Sequence, residues 1–210
     1  MKQIILQSLS LINFKGIRSL DIQFDPAQTY ICGENGTGKT TLFKIITGNL
    51  KIDGIKITNT FKKVFFLPQR IKYPENLTLL EYVTSYFFGN SLKWYISEEE
   101  KQKTEDVLNL LELTDRQNIP LEKLSSGELQ KANIAIALLS DADCLLLDEP
   151  TSNIDLINQI KVLNILKKLQ NNKITCCTII HDLNLASAYG DYYAGITKNH
   201  KIIPNKTEFL

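Results

Sequence analysis

The sequence has little of several features that would assign a protein class at once. Its formal net charge is only +1, from 24 basic and 23 acidic residues, and the basic residues are scattered along the chain. This balance disfavours proteins that bind nucleic acid through a dense positive face. No run of 18 apolar residues occurs, and no charged segment followed by an apolar one opens the chain. We therefore expect neither a secretory leader nor a membrane-spanning helix.

Cysteine is also scarce, and its spacing excludes further classes. The four cysteines are Cys32, Cys144, Cys176 and Cys177. All four lie in apolar runs and none forms a Cys-x-x-Cys pair. This pattern is typical of small buried side chains in a reducing compartment, and it disfavours disulfides and metal clusters.

What the sequence does contain is a phosphate-binding pattern. Residues 33–41, which we call the phosphate loop, read GENGTGKTT and fit G-x-x-x-x-G-K-[ST]. A β-prone segment (28–32) precedes the loop, and apolar residues at helical spacing follow it as far as Gly48. Strand, glycine loop and helix form the context in which this motif binds a nucleoside triphosphate. The alternative interpretation is a glycine-rich turn that precedes a helix without binding phosphate, and it is much less consistent with the motif and its context.

Each part of the phosphate loop has an expected task. The glycines allow backbone N–H groups to face the phosphates, and the helix N-terminus favours an anion. We expect Lys39 to contact the β- and γ-phosphates and the Thr40 hydroxyl to ligate Mg²⁺. The predicted nucleotide-binding residues of the loop are Gly33, Glu34, Asn35, Gly36, Thr37, Gly38, Lys39, Thr40 and Thr41.

Two carboxylates follow a later apolar run. Residues 144–147 are continuously apolar, as in a parallel strand buried on both faces, and Asp148 and Glu149 come next. In open α/β sheets, ligands bind at the carboxyl ends of the strands. We therefore predict that Asp148 binds Mg²⁺, through water, and that Glu149 is the general base. Two acids in an exposed loop would be the alternative interpretation.

Gln69 and His181 occupy comparable places. Gln69 follows the apolar run 64–67, and His181 follows the run 174–180. At the end of its strand, Gln69 is placed to reach Mg²⁺ or the attacking water, although an ordinary exposed glutamine is the default interpretation. A lone histidine is usually structural, but a histidine at the end of a core strand lies where we expect the nucleotide-binding site.

The middle of the chain is predicted to be helical. Residues 78–113 have helical periodicity, and their aromatic side chains are interpreted as the core of a small subdomain, with a partner groove as the alternative. Ser125 and Glu128 have capping-box spacing before another helix. The same start, with Ser126 and Gly127, is also a candidate for a second anion site.

The first residues alternate loosely between apolar and polar. Residues 3–24 predict two antiparallel strands. Phe14 lies in this region, ahead of the phosphate loop, and is a candidate for stacking on an adenine ring. A core phenylalanine is an equally good interpretation.

Taken in order, these motifs resemble the nucleotide-binding domain of an ATP-binding cassette (ABC) ATPase over essentially the whole chain. The motifs that carry the resemblance are the phosphate loop, Gln69, Leu-Ser-Ser-Gly-Glu (124–128), Leu-Leu-Leu-Asp-Glu-Pro (145–150), Ser-Asn-Ile-Asp (152–155) and His181. The resemblance implies an α/β P-loop NTPase (RecA-like) core with an antiparallel β-subdomain, within 1–70 and 141–210. It also implies an inserted α-helical subdomain at about 71–140 that carries the signature.

The resemblance also implies roles for single residues. The residue at Gln69 links the γ-phosphate side of the site to the transport partner, and the histidine at 181 contacts the γ-phosphate. The loop that contains Asp155 crosses between protomers. The family signature is usually Leu-Ser-Gly-Gly-Gln, so Ser126 and Glu128 are departures, and Glu128 is expected to bring negative charge near a phosphate. Phe14 stands where the family commonly has tyrosine.

The implied function is ATP hydrolysis that drives a membrane ABC transporter through nucleotide-dependent head-to-tail dimerisation, with ATP and Mg²⁺ bound. The expected partners are a second ABC subunit, identical or paralogous, and an integral membrane permease, without nucleic acid. The expected location is the cytoplasm, at the cytoplasmic face of the membrane. Residues 181–186 are similar to cassettes of metal-chelate, haem or cobalamin importers.

The alternative is a soluble ABC-type ATPase that acts on ribosomes or other cytosolic assemblies. Ribosome-recycling ATPases carry two cassettes and a cysteine-rich cluster domain, whereas this sequence shows one cassette and no cluster spacing. The related DNA-repair ATPases need a long coiled coil between phosphate loop and signature. The segment between Lys39 and Ser125 is too short for one.

Overall fold

A computed structural model describes residues 28–51, 61–89, 95–169, 174–196 and 202–205. Its strands are β1 (Gln28–Cys32), β2 (Val64–Leu67), β3 (Cys144–Asp148), β4 (Thr175–Ile179), β5 (Tyr192–Ile196) and β6 (Ile202–Asn205). Its helices are α1 (Lys39–Ile46), α2 (Leu79–Gly89), α3 (Glu98–Leu110), α4 (Ser126–Leu139), α5 (Leu156–Leu169) and α6 (Leu183–Tyr189). Two short 3-10 helices, Thr114–Arg116 and Leu121–Lys123, precede α4.

The strands form one sheet in the order β2-β3-β4-β1-β5-β6. The first five strands are parallel, and β6 is antiparallel to β5. Every residue of β3 and β4 is buried, which explains their continuous apolar character because helices cover both faces of a parallel sheet. The predicted α/β fold with a parallel sheet is confirmed.

The register of the sheet aligns the ends of three neighbouring strands. Leu67 pairs with Leu147, and Asp148 pairs with Ile179. The carboxyl ends of β2, β3 and β4 therefore lie side by side, with β3 in the middle. Residues that immediately follow these strands are brought to the same edge of the sheet.

Apolar side chains pack on both faces of the sheet. One cluster contains Phe43 and Ile45 of α1 against Leu146 and Ile179, and a second contains Tyr30 and other buried residues on the opposite face. The four cysteines are buried and free, as their apolar surroundings predicted. Burial raises the pKa of the Cys32 thiol to about 11, so this residue is an uncharged core side chain even though the nearby Lys39 opposes the shift.

The chain divides into two compact units. One comprises Met1–Gln69, Ala142–Pro150 and Leu163–Leu210, and it contains the sheet. The other comprises Arg70–Asp141 and Thr151–Val162, and its described elements are helical.

The helical unit is organised by its helix starts and its apolar positions. Ser97 caps α3 with Glu100 in a capping box. Buried leucines such as Leu79, Leu108 and Leu111 form the interior of this unit. Of the aromatic residues, Tyr82 is buried and donates a hydrogen bond to Asn133, whereas Tyr95 is 69% exposed.

Some predictions concern residues outside the described ranges. They are the two antiparallel strands within 3–24 and the candidate stacking residue Phe14. Within the part of the chain that the structure describes, none of the helices has the length and apolar character needed to cross a bilayer.

Candidate active site

The phosphate loop connects β1 to α1 and depends on glycine at three positions. Gly36 and Gly38 have φ angles of 80° and 95°, a region that other residues rarely adopt. A Cβ at Gly33 would lie 2.4 Å from the carbonyl oxygen of Ile196, so this position has no space for a side chain. Gly38 caps α1 without a side-chain hydrogen bond, which leaves the first N–H groups of α1 free of a side-chain cap.

Lys39 lies against the inside of this loop and is only 6% exposed. Its Nζ donates hydrogen bonds to the carbonyl oxygens of Gly33 at 2.7 Å and Glu34 at 2.8 Å. Burial lowers the pKa of the ammonium, and the carboxylates of Glu149 and Asp148 act in the opposite direction. Thr37 stiffens the loop because its hydroxyl donates to Glu34 O at 3.0 Å. A cation and a helix N-terminus thus meet at one loop, an arrangement suited to phosphate.

Asp148 ends β3 and is 2% exposed. Both of its carboxylate oxygens are buried without a hydrogen-bond partner of good geometry among the described residues. Burial raises the pKa of this carboxyl, although the hydroxyl of Thr40 is close enough to lower it in part. A buried carboxylate beside a hydroxyl and without its own partners fits a hard cation such as Mg²⁺. The residues present therefore fit the ion that the sequence predicts.

Glu149 is held between Gln69 and His181. The Gln69 Nε2 donates to Glu149 Oε2 at 2.5 Å, and His181 Nε2 lies 2.6 Å from Glu149 Oε1. Gln69 follows β2, Glu149 follows β3 and His181 follows β4, so the strand order explains why these three side chains meet. Each carboxylate oxygen of Glu149 is therefore oriented by a neighbouring side chain.

The backbone of Glu149 is strained. Its φ angle is 51°, in the left-handed region, which costs a residue other than glycine about 1–2 kcal/mol. Its N–H donates to Ile179 O at 3.2 Å, so the sheet holds this conformation in place. Strain of this kind at the end of a core strand is often found where a side chain must be aimed at a ligand.

The signature segment (residues 125–128) lies at the start of α4 in the helical unit. Ser125 Oγ accepts a hydrogen bond from Glu128 N at 3.3 Å, and Glu128 Oε2 accepts from Ser125 N and Oγ, each at 2.8 Å. These contacts complete the predicted capping box. Arg116, which sequence reasoning did not single out, lies with its Nε 2.8 Å from Glu128 Oε1.

Asp155 precedes α5 in the same unit. Its carboxylate accepts hydrogen bonds from Asn158 N at 3.0 Å and from Asn158 Nδ2 at 2.7 Å. These bonds lower the pKa of Asp155. The Asn158 side chain also lies beside the signature segment, 3.3 Å from where a Cβ on Gly127 would be. Asn158 therefore joins the Asp155 loop to the signature segment.

The structure brings together two groups of predicted residues, one in each unit. The first contains the phosphate loop, Gln69, Asp148, Glu149 and His181, and the second contains the signature segment and Asp155. Asn158 could have been found from its capping distance to Asp155. Arg116 has no pattern that connects it with Glu128, and only the folded chain shows the pair.

The chain is also similar in sequence to known proteins. A family model described as ABC transporter matches residues 17–152. An ABC transporter ATP-binding protein of Methanocaldococcus jannaschii is 38% identical over 178 residues, which are 78% of this chain and 68% of that protein. A petrobactin import ATP-binding protein of Bacillus anthracis is 32% identical over 195 residues, 86% of this chain and 71% of that protein.

The fold is also similar to a solved structure. An inward-facing putative metal-chelate type ABC transporter contains a chain that superposes with a TM-score of 0.86 at 24% identity. The match covers 99% of this chain and 84% of that one. At this level of identity the likeness concerns the fold.

Proposed function

We infer the function of this chain from the family to which it belongs, the ABC transporters. The chain is an ATP-binding subunit with a P-loop NTPase fold, and it hydrolyses ATP. ATP hydrolysis by this chain drives a membrane transporter. The chain acts in a head-to-tail dimer of two ATP-binding domains, which forms when nucleotide is bound. A soluble ATPase acting on ribosomes is not favoured, because the named relatives are transporter subunits.

The observation that carries this proposal is the orientation of Glu149 by Gln69 and His181 at the carboxyl ends of three adjacent strands. Glu149 is proposed to orient a water molecule for in-line attack on the γ-phosphate and to accept its proton. Gln69 and His181 keep the carboxylate in position for this step. His181 is also proposed to contact the γ-phosphate, because its ring nitrogen lies beside the Glu149 carboxylate.

The neighbouring residues bind the nucleotide. Lys39 and the N–H groups of the phosphate loop are proposed to hold the β- and γ-phosphates. Thr40 and Asp148 would hold Mg²⁺, with Gln69 as a further ligand. The ion supplies positive charge that offsets the negative charge on the phosphate oxygens.

The site is proposed to need a second cassette. Ser125, Ser126 and Gly127 form the start of α4, where N–H groups suit an anion. One chain thus carries one phosphate loop and one separate anion-binding helix start. We place the signature segment and Asp155 of one chain against the ATP held by the other, so that closure excludes water. A single oriented donor of this kind lowers a barrier by about 2.7–4 kcal/mol.

The partner is proposed to be an integral membrane permease, with this chain bound at the cytoplasmic face of the membrane. The relative from Bacillus anthracis is named for petrobactin import, and the similar structure for metal-chelate transport. These names support a metal chelate as cargo and import as the direction. The second cassette is a copy of this chain or a paralogue.

We also propose a domain organisation. Residues 1–70 and 141–210 would form the RecA-like core with its β-subdomain, in which Phe14 stacks on the adenine ring. Residues 71–140 would form the helical subdomain that carries the signature. The two compact units support this division. They differ from it in one respect, since residues 151–162 belong to the helical unit.

The proposal is tested by affinity purification of the tagged chain from membranes of its own organism, followed by measurement of ATP hydrolysis. We expect an integral membrane subunit to co-purify and the complex to hydrolyse ATP. Lys39→Ala is expected to lose nucleotide binding, because the loop loses its buried cation, while still co-purifying with the same subunit. Recovery with ribosomes only, or unchanged nucleotide affinity in Lys39→Ala, would contradict the proposal.

A further inference from the structure

Glu128 poses an electrostatic problem for the proposed site. The signature segment is proposed to receive the triphosphate held by a second chain, and the family usually has glutamine where Glu128 stands. A carboxylate in the first turn of a helix competes with an incoming anion for the positive end of the helix dipole. An uncompensated charge at this place would therefore weaken the binding of ATP between the two chains.

The contacts of Glu128 show how this charge is compensated. Arg116 Nε lies 2.8 Å from Glu128 Oε1, while Oε2 accepts from the backbone and hydroxyl of Ser125. The carboxylate is thus turned back on its own helix start and paired with a cation. Hydrogen bonds from Ser125, together with the charge of Arg116, lower the pKa of Glu128, so the carboxylate is charged near neutral pH.

Arg116 is held in place by its own segment. It ends the 3-10 helix Thr114–Arg116, and its N–H donates to Leu113 O at 2.9 Å. Leu113 is fully buried, and Glu112 forms ion pairs with Lys131 of α4 at 3.5 Å and Lys161 of α5 at 2.6 Å. Segment 112–116 is therefore anchored by an ion pair to α4, the helix that carries Glu128.

We propose that Arg116 is a positioning residue of the ATP site, which cancels the charge of Glu128 and makes a glutamate-containing signature segment competent to bind the triphosphate held by a second copy of the chain. This inference rests on the proposed head-to-tail dimer. A role limited to folding stability is less consistent with the geometry, since the side chains of Arg116 and Glu128 are 54% and 25% exposed and such surface pairs stabilise little.

The test uses the full-length chain with Glu149→Gln, which is expected to retain ATP in the dimer. Sedimentation velocity with Mg²⁺ gives the ATP concentration at which half of the protein is dimeric. Arg116→Ala should raise this concentration about two- to fivefold, the range for one charge in the first turn of a helix. Adding Glu128→Gln should return it to the parent value. Glu128→Gln alone should dimerise no more weakly than the parent.

Two further measurements distinguish an effect of the Arg116 charge from an effect on the structure of the protein. The effect of Arg116→Ala should shrink as ionic strength rises, because salt screens exposed charges. Lys101→Ala removes a cation that is as exposed as Arg116 (55% against 54%) from an ion pair with Glu98 on α3, and it should behave as the parent does. If Arg116→Ala does not fold, Arg116→Lys and Arg116→Gln make the same comparison, and only the glutamine variant should need the Glu128→Gln rescue.

Each outcome has a defined meaning. A parent protein that dimerises while Arg116→Ala has no effect overturns the role of Arg116 alone. So does a double variant that remains as weak as Arg116→Ala, because the defect would then be independent of the Glu128 charge. A parent protein that stays monomeric with ATP overturns the head-to-tail site, and the role of Arg116 with it.

Discussion

Glu149→Gln is expected to stop ATP hydrolysis without removing the nucleotide. Glutamine keeps the length and shape of the side chain, and at a φ of 51° it has the same backbone strain. Its carbonyl oxygen can still accept from Gln69 Nε2. Its amide N–H can donate to His181 Nε2 when that nitrogen carries no proton. The site should therefore keep its geometry and lose only the group that is proposed to accept a proton.

The expected loss of rate can be estimated, because the substitution removes the proposed base and keeps the contacts around it. General base catalysis contributes about 10²–10⁴-fold to rate, which corresponds to about 2.7–5.5 kcal/mol of barrier. The contacts of Glu149 with Gln69 and His181 are replaced by neutral ones, and a neutral hydrogen bond contributes about 1 kcal/mol. We therefore expect kcat to fall at least a hundredfold, while the free energy of unfolding changes by no more than about 1 kcal/mol.

The assay compares phosphate release at saturating ATP with nucleotide affinity and with denaturant unfolding. Glu105→Gln, an exposed acid on α3, is the matched control for loss of one negative charge. The control should keep full activity, and Glu149→Gln should keep its affinity for ATP. A variant that still turns over within tenfold of the parent would refute Glu149 as the base. If hydrolysis is lost and the free energy of unfolding falls as well, Glu149 would instead have a structural role.

Two further predictions concern stability. Asp182 caps α6 by accepting hydrogen bonds from Asn184 N at 2.8 Å and Leu185 N at 3.1 Å, so Asp182→Ala should lower the free energy of unfolding by about 0.5–2 kcal/mol in denaturant titration. An unchanged midpoint would show that water replaces the cap at no cost. Hydrogen bonds from Ser125 hold the pKa of Glu128 below its ordinary value of 4.5. The stability that this charge contributes is present above pH 4.5 and is lost as the pH falls through the folded-state pKa, so the parent and Glu128→Gln should differ most near neutral pH and converge in acid. A difference that is constant with pH would contradict this origin.

Much of the fold followed from short-range patterns. The strand at 28–32, the strand at 64–67 and the buried strand at 144–147 were predicted, and the structure has strands there. The capping box at Ser125 also forms as its spacing predicted. These features depend on residues within a few positions of one another, where backbone geometry limits the choices.

Other predictions depended on assembly of the chain. Sequence placed Gln69, Glu149 and His181 each after an apolar run, but it could not say which runs become neighbouring strands. The pairs that meet at Glu149 are 80 and 32 positions apart. Glu128 was expected to bring a negative charge near a phosphate, and the structure adds the cation that accompanies it.

The sequence by itself determined the phosphate loop, the helix starts and the buried character of the central strands, because glycine conformation, capping and periodicity act over a few residues. Only the tertiary structure decided that β3 lies between β2 and β4, which puts Glu149 between its two partners. It alone also paired Arg116 with Glu128. The physical reason is that strand order and long-range ion pairs arise from the packing of the whole chain, and no local pattern of residues encodes them.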